Sequence, residues 1–201
     1  MRKQFVRLLF LWGICLGILS SGYCHKRDSL SLKQLCFIAN HGQWEEQVLY
    51  KAKLNGAVLF AEADRLTLLM PNQDQLARFH EAKMDAQLSH NGLIDVCAYQ
   101  MVFKGCRPSV SVTGLDKLNS HHNYFLGNQS QRWVSQVPLF HELSYDNLYD
   151  GINLHLSQQG NKLKYEFIIA EGANPQQIAI EYVGANNLSL NNGNLLVKTD
   201  I

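Results

Sequence analysis

Three carboxylates stand close together in one stretch of this chain: Glu142, Asp146 and Asp150, around LSYDNLYDGIN. Paired carboxylates can cleave glycosidic bonds by general acid–base work, and grouped oxygens can hold calcium. Asp and Asn also form ordinary turns, and the calcium-loop spacing of an EF-hand is missing. The plainer reading is a turn. The same holds for Glu45-Glu46, read as a solvated turn after Trp44. Of eight histidines, His121-His122 with His141 and His155 make the best candidate metal cluster. Adjacent residues on a strand point to opposite faces, so His121 and His122 cannot easily share an ion. There is no G-x-S-x-G elbow, P-loop or dinucleotide fingerprint. The residues therefore name no catalytic, cofactor-binding or metal-ligating group. Trp44, Trp133, Tyr124, Phe125, Tyr145 and Tyr149 could form an aromatic platform for sugars. Large aromatics more often fill a core, the reading preferred for Trp133 and Phe125.

Composition frames these candidates. The chain has 201 residues, 46% hydrophobic and 17% charged, which describes one globular domain with a real core. A net charge of +1 gives no pull towards nucleic acid. Residues 1–22 read as a secretory signal peptide: Arg2, Lys3 and Arg7, then apolar Leu8 to Leu19, then small Ser20, Ser21 and Gly22. Cleavage is expected after Gly22, leaving no stable transmembrane segment. An uncleaved N-terminal anchor is the alternative, but the apolar run is short of the roughly 20 residues a spanning helix needs. Cys24 and Cys15 follow Tyr23 and Ile14, not the small residue that lipid attachment wants. In an oxidising compartment Cys24, Cys36, Cys97 and Cys106 could form disulfides. Cys97 and Cys106 are close in sequence and are the candidate pair; the alternative is that all four are small buried hydrophobes. Asp28-Ser29-Leu30 has the form of a short O-glycosylation signal.

The elements that must position these residues are mostly strands. Residues 23–35 are a polar leader, and residues 36–201 form the domain. Val48, Tyr50, Ala52 and Leu54 alternate with Leu49, Lys51 and Lys53, a half-buried strand. Asn55-Gly56 then signals a tight hairpin, Ala57 to Ala61 returns, and Leu66 to Met70 follows a turn at Asp64-Arg65. Residues 73–88, with Leu76, Phe79, Met84 and Leu88 at helical spacing, predict one short helix; the alternative is a polar loop crossing between strands. Strands are expected at Leu93–Phe103 and Ser109–Thr113, with Gly114–His121 a polar connector. Later strands lie at Leu139–Tyr145, Gly151–Leu156, Leu163–Ile169, Ile178–Tyr182, Leu188–Leu190 and Leu195–Val197. Short strands with turn signals every 8–14 residues predict an all-β, antiparallel sandwich-like domain. The chain stops just past a strand, so either that strand closes the sheet or this is the front of a longer protein.

HGQWEEQVLYKAKLNG, NYFLGNQSQRWVSQVPLFHELSYDNLYDGINLHL and LKYEFIIAEGANPQQIAIEYVGANNLSLNNGNLLVKT carry a resemblance. Their wording resembles the N-terminal β-rich domain of large secreted proteins of Bacteroidetes and other bacteria. Those proteins often continue into SBBP propeller repeats, PKD or immunoglobulin-like modules and a gliding-motility-associated sorting domain. Gly42-Gln43-Trp44 with Val48, Asn123-Tyr124-Phe125, Gly127-Asn128, Trp133, Val137-Pro138, Tyr145, Leu148-Tyr149, Gly151-Ile152 and Gly172-Ala173 carry the match. Asn153, Glu166, Glu171 and His41 depart from it, and the downstream modules are missing, so the chain looks like a truncated member. The resemblance implies no catalytic residues.

These readings lead to an exported, non-catalytic surface or extracellular module for adhesion, scaffolding or assembly, placed in the periplasm, on the outer surface or outside the cell. Its partner would be a cell-surface protein or a glycan. The alternatives are a glycan-binding module and a carbohydrate-active hydrolase using Asp146, Asp150 or Glu142. Convergent carboxylates in a cleft would favour the hydrolase, and an exposed aromatic row would favour glycan binding.

Overall fold

The computed structural model describes residues 34–84, 94–125, 127–128, 130, 133–160 and 162–199. The signal segment with Gly22, most of the leader, Cys24 and Asp28-Ser29-Leu30 lie outside them.

Twelve strands run through the described residues: β1 Phe37–Ala39, β2 Tyr50–Lys53, β3 Val58–Ala61, β4 Arg65–Pro71, β5 Val96–Phe103, β6 Ser111–Tyr124, β7 Val134–Tyr149, β8 Ile152–Gln159, β9 Lys162–Ile169, β10 Ile180–Val183, β11 Asn187–Asn191 and β12 Asn194–Lys198. All pairings are antiparallel, and the fold is the expected all-β sandwich-like sheet. The order is β10-β5-β4-β3-β2-β1-β7-β8-β9, with β6 on the other edge of β7. Asn55-Gly56 makes the β2–β3 hairpin: Gly56 takes a positive φ of 79°, and Leu54 N–H donates to Ala57 O. Two-residue turns of this kind need positive φ, which Asn and Gly tolerate.

The expected helix is α1, Gln73–Met84; residues 85–88 of that expectation lie outside the described residues. Asn72 caps it, its side-chain oxygen accepting from Gln75 N–H at 3.1 Å.

β7 organises the sandwich. Along one edge it pairs with β6. Along the other it pairs first with β1, at Leu139 and Phe140, and then with β8 from Leu143 onward. One strand therefore belongs to both halves of the curled sheet. The inner faces meet in one core: Phe37, Ala52, Leu59, Leu66, Met101 and Phe103 from the first half pack with Leu143, Tyr145, Tyr149, Ile152, Leu154 and Leu156 from the second. At the open end Tyr182 of β10 and Tyr165 of β9 lie near enough to influence one another electrostatically, on the two strands that end the sheet.

Two expectations are corrected. Gly114–His121 is not a connector but the body of β6. Its outward side chains are solvated, so it shows no apolar alternation, while its backbone is paired by β7. The approach is close: a Cβ on Gly114 would lie 2.4 Å from the Phe140 ring. β7 likewise continues through Pro138, which sits where the β6–β7 register shifts; proline is tolerated in strands at such irregularities. β11 and β12 form a separate two-stranded hairpin with Leu188, Leu190, Leu195 and Val197 on one face. The three leucines of that face are exposed.

Candidate functional site

The sequence candidates fall in different places. Glu142 and Asp146 both lie on β7, four residues apart, so roughly 13 Å separates them along the strand. That exceeds the carboxyl separation of about 5–9.5 Å used by glycosidases. Asp146 accepts from Ser144 Oγ at 2.6 Å, and exposed Asp150 faces Arg107 at 3.7 Å. Nearby, Asn147 takes a positive φ of 52° at the β7 register shift, and Asn153 Oδ1 accepts its N–H at 2.8 Å. The LYDGIN stretch is thus a bulge and turn.

His121 and His122 are exposed neighbours on β6, His141 contacts Gln34, and His155 lies on β8 opposite Ser144. Among the described residues no three His, Cys, Asp or Glu side chains gather as a metal site. Cys97 and Cys106 are not bridged and both carry free thiols, as does Cys36. β5 lies between them: Cys97 is near its start and Cys106 lies beyond its end. The strand alone separates them by roughly 20 Å, and a disulfide needs Cα atoms within about 7 Å.

The aromatics divide. Tyr145 and Tyr149 are core residues. Tyr149 donates its hydroxyl proton to Ala179 O at 3.0 Å; the Tyr145 hydroxyl is buried without a partner among the described residues. Burial pushes both phenols up. Phe125 and Trp133, expected in the core, are instead 60% and 45% exposed. They lie beyond the ends of β6 and β7 and stack edge-to-face at 5.5 Å, with Trp133 Nε1 donating to Gly127 O.

Trp44 belongs to a more built arrangement. The loop after β1 is organised by Asn40. Its side-chain amide donates to the carbonyls of Trp44, Glu45 and Val48, and its oxygen accepts from the N–H groups of Gly42 and Trp44. Gly42 takes a φ of 100° in this loop, a conformation L side chains resist. Gln43 ties the loop to Ala39 O and His41 N–H. Trp44 is held edge-on to Tyr124 at 5.5 Å, and the Lys51 ammonium lies 5.2 Å from its ring centre and 5.3 Å from that of Phe60.

Beside Trp44 the outer sheet face forms an open hollow of about 820 Å³. Cross-strand register sets its floor, Phe60 opposing Thr67 and Thr67 opposing Gln100, with Lys51 opposite Phe60 on the next strand. The polar groups are tied together. Arg65 binds Asp64 through two hydrogen bonds of 2.8 and 2.9 Å, contacts Glu62 at 3.8 Å and reaches Gln100 at 3.5 Å. Thr67 Oγ1 donates to Glu62 at 2.9 Å and accepts from Gln100 at 3.2 Å. The Arg65 hydrogen bond holds the Asp64 carboxyl below its ordinary value. That suits a fixed carboxylate, not a general acid. A smaller hollow of about 230 Å³, lined in part by Leu54, Leu163, Lys53 and Lys162, has no comparable network.

Sequence reading singled out Trp44 and Tyr124 but missed Lys51, Phe60, Thr67 and Gln100 as one row. A signal existed: the two-residue Asn55-Gly56 turn sets Lys51 opposite Phe60. The residues define an antiparallel β-sandwich domain presenting an aromatic loop beside a polar hollow. Residues 37–201 match the family described as Domain of unknown function (DUF7948), and the chain belongs to that family. No curated protein and no solved structure matches it. Among the described residues no helix is long and apolar enough to cross a membrane.

Proposed function

We propose that this protein is an exported, non-catalytic binding module acting in adhesion, scaffolding or assembly at the cell surface or outside the cell. Its binding face is the Trp44 loop with the neighbouring hollow. One observation carries the reading: Asn40 organises the loop through five side-chain hydrogen bonds, so Trp44 is presented already ordered. Pre-ordering a contact residue lowers the entropy lost on binding. The scatter of Glu142, Asp146 and Asp150 supports binding over hydrolysis. The signal-like residues 1–22 and the resemblance to N-terminal domains of large secreted Bacteroidetes proteins support the location.

The test is retention of the labelled protein on intact cells of its source, read by flow cytometry. Trp44→Ala should lower retention about tenfold, as expected for a central aromatic contact. Equal retention of both proteins counts against this face. Glycan hydrolysis by the purified protein that Asp150→Asn abolished would overturn the non-catalytic reading.

A further inference from the structure

We infer that the hollow beside Trp44 is a saccharide site, and that it takes an uncharged oligosaccharide. The inference rests on the binding-module reading and adds the ligand's chemistry.

The outer face combines two kinds of surface. Trp44 and Phe60 line one end as half-buried aromatic rings, with the Lys51 ammonium close to both. Thr67, Gln100, Glu62 and Arg65 supply hydrogen-bonding groups at the other, already braced against one another. A pyranose has the matching duality: its C–H face is apolar and packs on an aromatic ring, while its hydroxyls donate and accept at the rim. Ligand sites in general pair apolar and aromatic lining with a few fixed polar groups. The hollow is open and shallow, a shape that suits a chain lying along a sheet more than a small molecule enclosed by the protein.

Charge decides between ligand classes. The Arg65 guanidinium is engaged by Asp64 and Glu62, and the Lys51 ammonium lies by two aromatic rings, an arrangement that stabilises a cation. The lining carries three carboxylates, Glu45, Glu62 and Asp64, against the single Arg65 guanidinium, an excess of negative charge that opposes a uronate or a sulfate. Hydrogen-bonding side chains remain for the hydroxyls of a neutral sugar, and the aromatic rings for its C–H face.

The test is titration of the full protein with neutral oligosaccharides (β-linked gluco-, manno- and xylo-oligomers of about six units), alongside uronate and sulfated oligomers, followed by calorimetry. At least one neutral oligomer should bind saturably with a Kd below about 1 mM. Trp44→Ala and Gln100→Ala should each weaken it about tenfold without changing Tm, and raising salt should leave the affinity within about twofold, since no exposed ion pair forms. Gln100→Glu supplies a second polar variant of the same size should Gln100→Ala disturb the sheet. The inference is overturned if no neutral oligomer saturates, if only charged oligomers bind in a salt-sensitive way, or if both alanine variants bind unchanged. Trp44-dependent retention on cells without any saccharide binding would overturn this inference and leave the binding-module reading standing. Saturable sugar binding by a natural protein that is not retained on cells at all would do the reverse.

Discussion

Asn40 is the residue on which the Trp44 loop depends. Its two amide N–H groups are shared among three carbonyls and its oxygen accepts two backbone N–H groups, so truncation removes this whole set, although Glu45 O keeps the Val48 N–H. Each such bond is worth about 1 kcal/mol net, and in a half-exposed loop they do not add fully. Asn40→Ala should cost about 2 kcal/mol and lower Tm by about 5 °C, measured by calorimetry. Asn40→Asp separates the two halves of the role: it keeps the acceptor but sets a carboxylate against three carbonyls, and should be at least as damaging. Equal stability of all three proteins would show that the loop does not need its hub. The hub was not legible beforehand. Asn40 precedes a glycine by two positions and reads as any turn former, and only the folded loop shows how many groups one amide serves. Trp44 was legible as a candidate because aromatic residues are conspicuous in any sequence. Phe125 and Trp133 were misread for the same reason, since size says nothing about whether a loop lies beyond the sheet's end.

At the scale of elements, what was readable followed turn chemistry. The β2–β3 hairpin follows from Asn55-Gly56, and β8–β9 and β11–β12 follow from Gly160 and Asn192-Gly193, which take positive φ. β6 was readable only in its first residues, because its later polar side chains carry no period and its strand character comes from β7. The row from Lys51 to Gln100 spans four strands, and strand order cannot be read from local pattern. The seam between β9 and β10 has a titratable signature. Burial, reinforced by the nearby Tyr165 and Tyr99, pushes the Tyr182 phenol up to about 12 from its ordinary value of 10.0. Between those values the unfolded chain holds fewer protons than the folded one, so stability falls as pH rises through this window. Tyr165→Phe removes the neighbouring phenol and should move the Tyr182 transition part of the way back towards 10, seen by phenolate absorbance in an alkaline titration. An unchanged transition would mean the seam is not closed by that contact.

For the whole molecule, β7 sets how the parts depend on one another. The residues of β11 and β12 pair only with each other, and an isolated two-stranded hairpin is marginal in water. Its amides should exchange with solvent first. At Phe140 and Leu143–Tyr145, β7 is flanked on both edges, by β6 on one side and by β1 or β8 on the other. Neither half of the sheet can come apart while leaving the other a complete edge. Denaturant should therefore melt both halves in one cooperative transition, with Trp fluorescence and far-UV circular dichroism coinciding. The slowest-exchanging amides should cluster on β7 and report the global free energy of unfolding. Two separated transitions would show that the halves are independent folding units. A single shared strand thus makes the domain one thermodynamic unit, so damage to the core of either half weakens the platform that carries Trp44.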